Sequence, residues 1–350
     1  MCAEKITISD IKSAEKLLGI TYSKSEREQM VQNLEGQILS AKLRRGIELD
    51  NTTPMASKFD PRLPGFQMPS RSDIKLQKRD IKLPKNKEDI AFASIGEQGK
   101  WIKDGLLTSR KLTEIYLERI ESFESKLECF ATVTKDQALA EADAMDLLTS
   151  AKINLGPLHG IPYGLKDLFD TKGVRTGWGA EPYQNRVPVE DAEIVKRLRA
   201  AGAVILGKTT LGALAYNDIW YGGRTKNPWN LNEGSSGSSA GSASATAAAL
   251  CSFAIGTETL GSITSPSQRC GTTGLRPTFG RVSRQGGMAL CWSLDKIGPI
   301  CRSVEDTGIV LSTLNGYDEN DLSSIRAPFN FDTSKNIKDL VIGYLPEAFE

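Results

Sequence analysis

The sequence is short of histidine, of closely spaced cysteines and of charge of one sign. Its single histidine, His159, allows at most one catalytic group of the imidazole kind. The six cysteines are dispersed with no Cys-x-x-Cys pair, so we expect reduced thiols and no four-ligand zinc site. With 44 basic and 43 acidic side chains, the chain has no electrostatic attraction for nucleic acid or for an acidic membrane.

Long hydrophobic runs are also missing. The first five residues include an acid and lack the apolar core of about 7–15 residues that marks a signal peptide. No stretch approaches the roughly 18 apolar residues of a membrane span. We therefore expect a cytoplasmic protein, and its 350 residues, 39% of them hydrophobic, can bury a large core.

The pattern of apolar residues and breakers predicts three regions. Residues 1–50 are predicted to be a helical extension whose second helix opens with a capping box at Ser23 or Ser25. Residues 51–88, interrupted by five prolines, are predicted to be an extended connector. From residue 89 onward helices alternate with short apolar strands, which is typical of an α/β sheet covered by helices on both faces.

Some finer elements of the third region, residues 89–350, can also be predicted. Thr108 is predicted to cap one helix, and Thr134 is predicted to open another through a capping box. The stretch Val341–Pro346 has the pattern of a strand that begins a further unit. We therefore expect this core to lack its C-terminal part.

A lysine stands in an unusual place in the first of three segments that carry chemistry. Gly160–Phe169 sets Lys166 among apolar residues, beside a turn containing glycine and proline. Either the amine reaches solvent, or it is buried, and burial can lower a lysine pKa to about 5–6. The residues alone favour the exposed alternative, whereas a buried amine would be a usable base.

The second segment, Gly234–Ala243, is dense in glycine and serine and runs into an alanine-rich helix. It is either a flexible linker or a tight loop that presents backbone N–H groups at a helix N-terminus. A phosphate-binding loop is excluded because no Gly-Lys-Ser/Thr ending is present. Gly237–Gly241 fits the G-x-S-x-G elbow of α/β-hydrolases, but that fold needs a histidine after the serine and His159 precedes it.

The third segment, Ile255–Pro266, directly follows a predicted buried strand. Nucleophiles and their oxyanion donors are often presented at such a place, although a lone serine such as Ser262 is more often a turn residue. Together the three segments resemble the motifs of the amidase signature family, in the same order. Gly160–Asp167 matches G-[IV]-P-x-x-x-K-D, and the likeness extends over roughly residues 89–345. The resemblance implies a central mixed β-sheet covered by helices on both faces.

The resemblance also implies a Ser-cisSer-Lys triad that cleaves a carboxamide C–N bond. Ser262 would attack the carbonyl and form an acyl-enzyme, Ser238 would relay protons, and Lys166 would be the general base. Ser238 stands 24 positions before Ser262, which is the family's spacing, whereas Ser235 stands 27 before it. The implied oxyanion donors are four successive backbone N–H groups, those of Thr259, Leu260, Gly261 and Ser262.

This route implies no cofactor and no metal. The expected partner is a small-molecule amide, with no nucleic acid and no membrane, while a homo-oligomer or a partner subunit stays open. Two alternatives to an amidohydrolase also stay open. One is a glutamine-dependent amidotransferase subunit resembling the Glu-tRNA amidotransferase A subunit, and the other is a catalytically silent interaction protein with the amidase fold.

The sequence departs from the family at three positions near the proposed nucleophile. Leu260 stands where a glycine is usual, and Glu258 and Thr264 replace an Asp and an Arg that often pair. Arg269 or Arg276 is the candidate to take over the role of the missing arginine. His159 lies just outside the lysine motif and is expected to be structural.

Overall fold

The computed structural model of the protein describes residues 5–49, 53, 55, 60–76, 81–334, 338 and 340–349. The chain divides into two compact units, residues 1–53 and 54–350. In the described ranges, each helix is too short or too polar to cross a membrane. The three regions proposed from the sequence, with boundaries at 50/51 and 88/89, stay a prediction.

Two helices make up the first unit in its described part. They are α1 (Ile8–Leu18) and α2 (Lys24–Arg45). Of the two predicted capping boxes, the one at Ser23 opens α2. The hairpin is held by Arg27, whose guanidinium donates to both carboxylate oxygens of Glu15, at 2.6 and 2.8 Å. This bidentate ion pair orients the two helices because both partners are largely shielded from water.

The second unit alternates helices and strands, as the apolar pattern predicts. The helices in its described residues are α3 (Lys87–Phe92), α4 (Ile95–Lys103), α5 (Ser109–Leu127), α6 (Lys135–Ser150), α7 (Glu193–Ala200), α8 (Ala240–Ala247), α9 (Thr264–Cys270) and α10 (Val304–Leu314). The strands are β1 (Asp73–Lys75), β2 (Phe130–Val133), β3 (Pro162–Lys166), β4 (Val204–Thr209), β5 (Ile219–Trp220), β6 (Gly223–Arg224), β7 (Lys226–Asn227), β8 (Asn230–Gly234), β9 (Phe253–Glu258), β10 (Thr273–Gly274), β11 (Lys296–Cys301) and β12 (Asn330–Asp332).

Within residues 81–334, six strands form the central sheet in the order β10-β11-β9-β3-β4-β2. The inner strand β3 pairs in parallel with β4 and β9, whereas the remaining pairs are antiparallel. Strands β3 and β4 are buried along their whole length, which explains their nearly continuous apolar sequences. The predicted fold class, α/β with a central mixed sheet covered by helices, is confirmed.

The sheet positions the site because parallel neighbours end at the same edge. Strand β3 ends at Lys166, and β9, which lies parallel beside it, ends at Glu258. Helix α8 packs on this part of the sheet through small residues. A side chain at Gly241 would collide with the backbone of Cys129 and Thr210, so only glycine allows α8 to approach this closely.

Two predicted local features are wrong, and one is confirmed. Thr108 caps α5 by accepting from the backbone N–H of Lys111 at 2.9 Å, as predicted. Thr134 forms no capping box, because its hydroxyl donates instead to the carbonyl of Ile205 at 3.0 Å. Residues 341–345 are exposed and form no strand, since no described strand lies beside them to supply hydrogen bonds.

The described part of the connector predicted over residues 51–88 contains β1, an extended segment that pairs in parallel with β12 through Asp73 to Asn330 and the two following pairs. Helix α3 begins inside the predicted connector, at Lys87, where the Asn86 side chain accepts from the Glu88 N–H.

Candidate active site

The amine of Lys166 is buried at the end of β3 and surrounded by hydroxyl groups. Its Nζ donates to Ser238 Oγ at 2.9 Å, to Ser239 Oγ at 3.0 Å and to Thr257 Oγ1 at 2.8 Å. Burial lowers the pKa of Lys166 to about 7, although the carboxylates of Asp295 and Glu258 oppose the shift. Of the two alternatives left open by the sequence, the buried amine is therefore the correct one.

The two serines that contact this amine belong to the loop that leads into α8. The peptide bond between Gly237 and Ser238 is cis. Ser239 ties the loop to β9, because its hydroxyl accepts from the N–H of Thr257 and donates to the carbonyl of Thr257, both at 3.1 Å. Sequence reasoning missed Ser239 and Thr257 as lysine partners, although each lies inside one of the motif segments.

Ser262 lies in the turn between β9 and α9. Its carbonyl accepts from the N–H of Ser239 at 3.0 Å, which sets its backbone against the serine loop. In the part of the chain that the structure describes, the Ser262 hydroxyl makes no hydrogen bond to Ser238 or to another group. The structure thus brings Lys166 and Ser238 into direct contact. Ser262 is joined to the same serine loop by its main-chain carbonyl.

The proposed oxyanion donors line the same turn. Among the described residues, the backbone N–H groups from 259 to 262 have no hydrogen-bond acceptor. Leu260, which stands where a glycine is usual in the family, is 82% exposed. The turn therefore presents a row of free donors to solvent, an arrangement able to bind a developing negative charge.

The carboxylate of Glu258 anchors this turn from one side. It accepts from the two backbone N–H groups that open α9, those of Ile263 at 2.9 Å and Thr264 at 2.8 Å. Arg276 Nη1 lies 3.2 Å from the other oxygen. Arg276 is thus the arginine that replaces the missing family residue, whereas Arg269 forms its ion pair with a different carboxylate.

Asp295 anchors the turn from the other side. Its Oδ1 accepts from the Thr259 hydroxyl at 2.5 Å, and its Oδ2 accepts from the N–H groups of Leu290 and Cys291, at 2.8 and 3.0 Å. The next residue, Lys296, donates to the carbonyl of Thr259 at 3.0 Å. Asp295 and Lys296 therefore tie the start of β11 to the turn that carries Ser262.

A second buried lysine lies nearby but does not contact the serines. Lys208 Nζ donates to the Phe169 carbonyl at 2.6 Å and to Thr176 Oγ1 at 2.8 Å, and it lies 3.6 Å from Asp167 Oδ1. Burial lowers the pKa of Lys208 to about 8 and raises the pKa of Asp167. Lys208 and Asp167 therefore join the ends of β4 and β3 and take no part in the hydrogen bonds between Lys166 and its hydroxyl partners.

His159 is buried away from these groups. Its Nδ1 accepts from the N–H of Leu155 at 3.3 Å, which leaves Nε2 as the donor. Nε2 lies 3.1 Å from the Met145 carbonyl and 3.0 Å from Thr149 Oγ1. The contacts are those of a core histidine that joins the end of α6 to the segment before β3.

The sequence surrounding the site matches a known family. The Amidase family profile matches residues 111–350. A curated relative, the A subunit of Glutamyl-tRNA(Gln) amidotransferase from Synechococcus sp. (strain RCC307), is 41% identical over 261 residues, which are 73% of this chain and 54% of the relative. The chain belongs to the amidase (amidase signature) family, as the motifs predict.

Solved structures agree with this assignment. Native peptide amidase from Stenotrophomonas maltophilia matches with a TM-score of 0.63 and 37% identity, over 66% of this chain and 50% of that one. Fatty acid amide hydrolase matches with a TM-score of 0.67 and 26% identity, over 74% of this chain and 47% of that one. The chain spans about half the length of the curated relatives it matches.

The buried amine predicts a pH-dependent stability difference. The pKa of Lys166 is about 7 in the folded chain against an ordinary value of 10.5, so between these values the unfolded chain binds the extra proton. The free energy of unfolding should therefore rise with pH above 7. This gain in stability is lost again as the pH falls towards 7. We expect the free energy of unfolding of wild type relative to Lys166→Met to rise by about 2 kcal/mol from pH 7 to pH 9.

Urea denaturation of the full chain at both pH values measures this difference. The matched control is Lys196→Met, which removes an exposed lysine on α7 and should leave the pH dependence of wild type unchanged. Parallel pH profiles for wild type and Lys166→Met would contradict a depressed lysine pKa.

Proposed function

We propose that this chain is an amidohydrolase that cleaves a carboxamide C–N bond through a seryl acyl-enzyme. The observation that carries the proposal is the Lys166 amine, which is buried, has a pKa of about 7 and lies at hydrogen-bond distance, 2.9 Å, from Ser238 Oγ. An amine with such a pKa is partly neutral at physiological pH and can accept a proton. Similarity to amidases and to one component of an amidotransferase supports amide chemistry at this site.

In the proposed acylation step, Ser262 Oγ attacks the amide carbonyl. The proton of Ser262 passes to Ser238, and the proton of Ser238 passes to Lys166. A rotation of the Ser262 side chain towards Ser238 completes this relay, because hydroxyl contacts of this kind often close only when substrate is bound. Lys166, now charged, returns a proton through Ser238 to the leaving amine as the C–N bond breaks.

Water then attacks the ester carbonyl of the acyl-enzyme, and the same relay accepts its proton. The relay returns a proton to Ser262 Oγ as the ester bond breaks and the carboxylic acid leaves. The backbone N–H groups of Thr259, Leu260, Gly261 and Ser262 stabilise the negative oxygen in both steps. A single well-placed donor of this kind can be worth about 2.7–4 kcal/mol. Ser239 and Thr257 hold the lysine amine in line with Ser238. The proposed substrate is a small-molecule amide.

The nucleophile assignment predicts the outcome of labelling with a fluorophosphonate. Wild type should be labelled at Ser262, and Ser262→Ala should lose the label completely, because no other hydroxyl is proposed to attack. Peptide mass spectrometry of the labelled chain locates the adduct. Ser236→Ala is the matched control, since its hydroxyl pairs with Ser265 Oγ at 2.8 Å and has no proposed role; it should label like wild type. Labelling that persists in Ser262→Ala would refute the assignment.

The base assignment predicts the pH dependence of the labelling rate. The neutral amine is the active form, so the rate should rise with pH through about 7 and level off above it. Lys166→Met should lower the rate by about 100-fold or more and should lack this inflection. Stopped labelling reactions between pH 5.5 and 9 measure both effects. A wild-type rate that is flat across this range would rule out Lys166 as the base.

A second candidate function is favoured by the similarity to the A subunit of Glutamyl-tRNA(Gln) amidotransferase. In that proposal, the same residues release ammonia from glutamine and a partner subunit uses it. The hydrolase proposal predicts that the chain alone cleaves simple amides faster than it cleaves glutamine. The amidotransferase proposal predicts a preference for glutamine, with a rate that rises in the presence of a copurified partner.

Ammonia release, followed for a panel of simple amides and for glutamine, separates the two functions. Ser262→Ala serves as the blank for each substrate. We expect the simple amides to be preferred.

A further inference from the structure

Lys296 contacts the turn that carries the proposed oxyanion donors. It is the first residue of β11, and it pairs across the sheet with Glu258, the last residue of β9. Its ammonium donates to the carbonyl oxygen of Thr259 at 3.0 Å. The sequence motifs assign no role to this lysine.

Lys296 donates to a carbonyl oxygen although two carboxylates lie close enough to shift its pKa. Burial and the charge of Arg276 lower its pKa, and they outweigh Glu258 and Asp295, which raise it. Within the described residues, however, Lys296 forms no ion pair. The carboxylate oxygens of Glu258 and Asp295 are engaged by backbone N–H groups and by Arg276 and Thr259. Lys296 is thus a cation whose hydrogen-bond acceptor is a peptide carbonyl oxygen.

That peptide oxygen belongs to the same peptide group as the Leu260 N–H. In a planar trans peptide the C=O and the N–H point in opposite directions. Because the Thr259 oxygen points at the Lys296 ammonium, the Leu260 N–H points away from that ammonium. This N–H has no acceptor among the described residues, so it is available to a ligand.

A charge on the oxygen of a peptide group also strengthens its N–H as a donor. Hydrogen bonds in a chain polarise one another, and a bond from an ionised donor is roughly twice as strong as a neutral one. A stronger donor at the Leu260 N–H stabilises a negatively charged oxygen more than it stabilises a neutral carbonyl oxygen, because the hydrogen bond is then made to a charge.

We propose that Lys296 is a positioning residue for catalysis, which orients and polarises the Thr259–Leu260 peptide so that the Leu260 N–H binds the oxyanion more strongly. The inference rests on the proposed function, because it requires an oxyanion at this turn. Lys296 itself touches neither substrate nor reacting atoms. Its contribution should therefore appear in the binding of charged adducts and be nearly absent from the binding of neutral ligands.

The experiment compares the wild-type chain with Lys296→Met, Lys296→Arg and Lys196→Met. The first readout is the second-order rate of fluorophosphonate labelling. The second is the inhibition constant of a trifluoromethyl ketone, which forms a negatively charged hemiketal with a serine, against that of the matching methyl ketone, which stays largely neutral. Both constants are obtained from competition with labelling.

We expect Lys296→Met to lower the labelling rate about tenfold and to weaken the trifluoromethyl ketone by a similar factor, with less than about twofold change for the methyl ketone. Lys296→Arg keeps the charge and should stay within about twofold of wild type on both readouts. Lys196→Met should match wild type. If Lys296→Met fails to fold by thermal unfolding, Lys296→Gln, which keeps a neutral donor, should show a loss of about threefold.

Unchanged labelling in Lys296→Met would overturn the proposal, because the lysine would then have no effect on the reaction. Equal weakening of both ketones would overturn it too, because the lysine would then affect only the shape of the pocket. An arginine variant as slow as the methionine variant would overturn it as well. A wild-type chain that fails to label contradicts the proposed function itself and removes the inference with it, so the two failures are distinguishable.

Discussion

The burial of one amine is the constraint on which the rest of the site depends. The Lys166 amine is fully buried, although an amine is better solvated in water. Its burial is tolerated because three hydroxyl groups accept hydrogen bonds from it. Those hydroxyls come from two elements, the loop before α8 and strand β9, and both are distant in sequence from β3. The close approach of α8 to the sheet, made possible by small residues, therefore brings the hydroxyl groups to the amine as well as packing the helix on the sheet.

The turn that follows β9 is organised by charge rather than by apolar packing. Two buried carboxylates, Glu258 and Asp295, take up backbone N–H groups on either side of it, while the N–H groups of the turn itself stay free among the residues that the structure describes. Arg276 and Lys296 supply the balancing positive charge. Glu258 thus has a positive partner although position 264 is a threonine, because Arg276 reaches it from the segment after β10.

The sequence is sufficient to select the proposed site residues, since Lys166, Ser238 and Ser262 stand in ordered motifs, and their catalytic roles stay a prediction. It is not sufficient for their immediate neighbours. It places Ser239 only in a loop and Thr257 only beside a strand, because hydroxyl partners of a buried amine have no spacing rule in sequence. The predicted capping box at Thr134 is wrong for a related reason. Its hydroxyl has a tertiary partner, the Ile205 carbonyl, that local sequence does not reveal.

What the sequence determined by itself was the alternation of helices and strands, the family and the motif positions. These depend on local periodicity and on residue type at short spacing. Only the tertiary structure decided whether the Lys166 amine lies in water or in the core, and which arginine, Arg276 or Arg269, faces Glu258. Both questions depend on solvent exclusion and charge distance, and these exist only after strands separated by about ninety residues, β3 and β9, lie side by side.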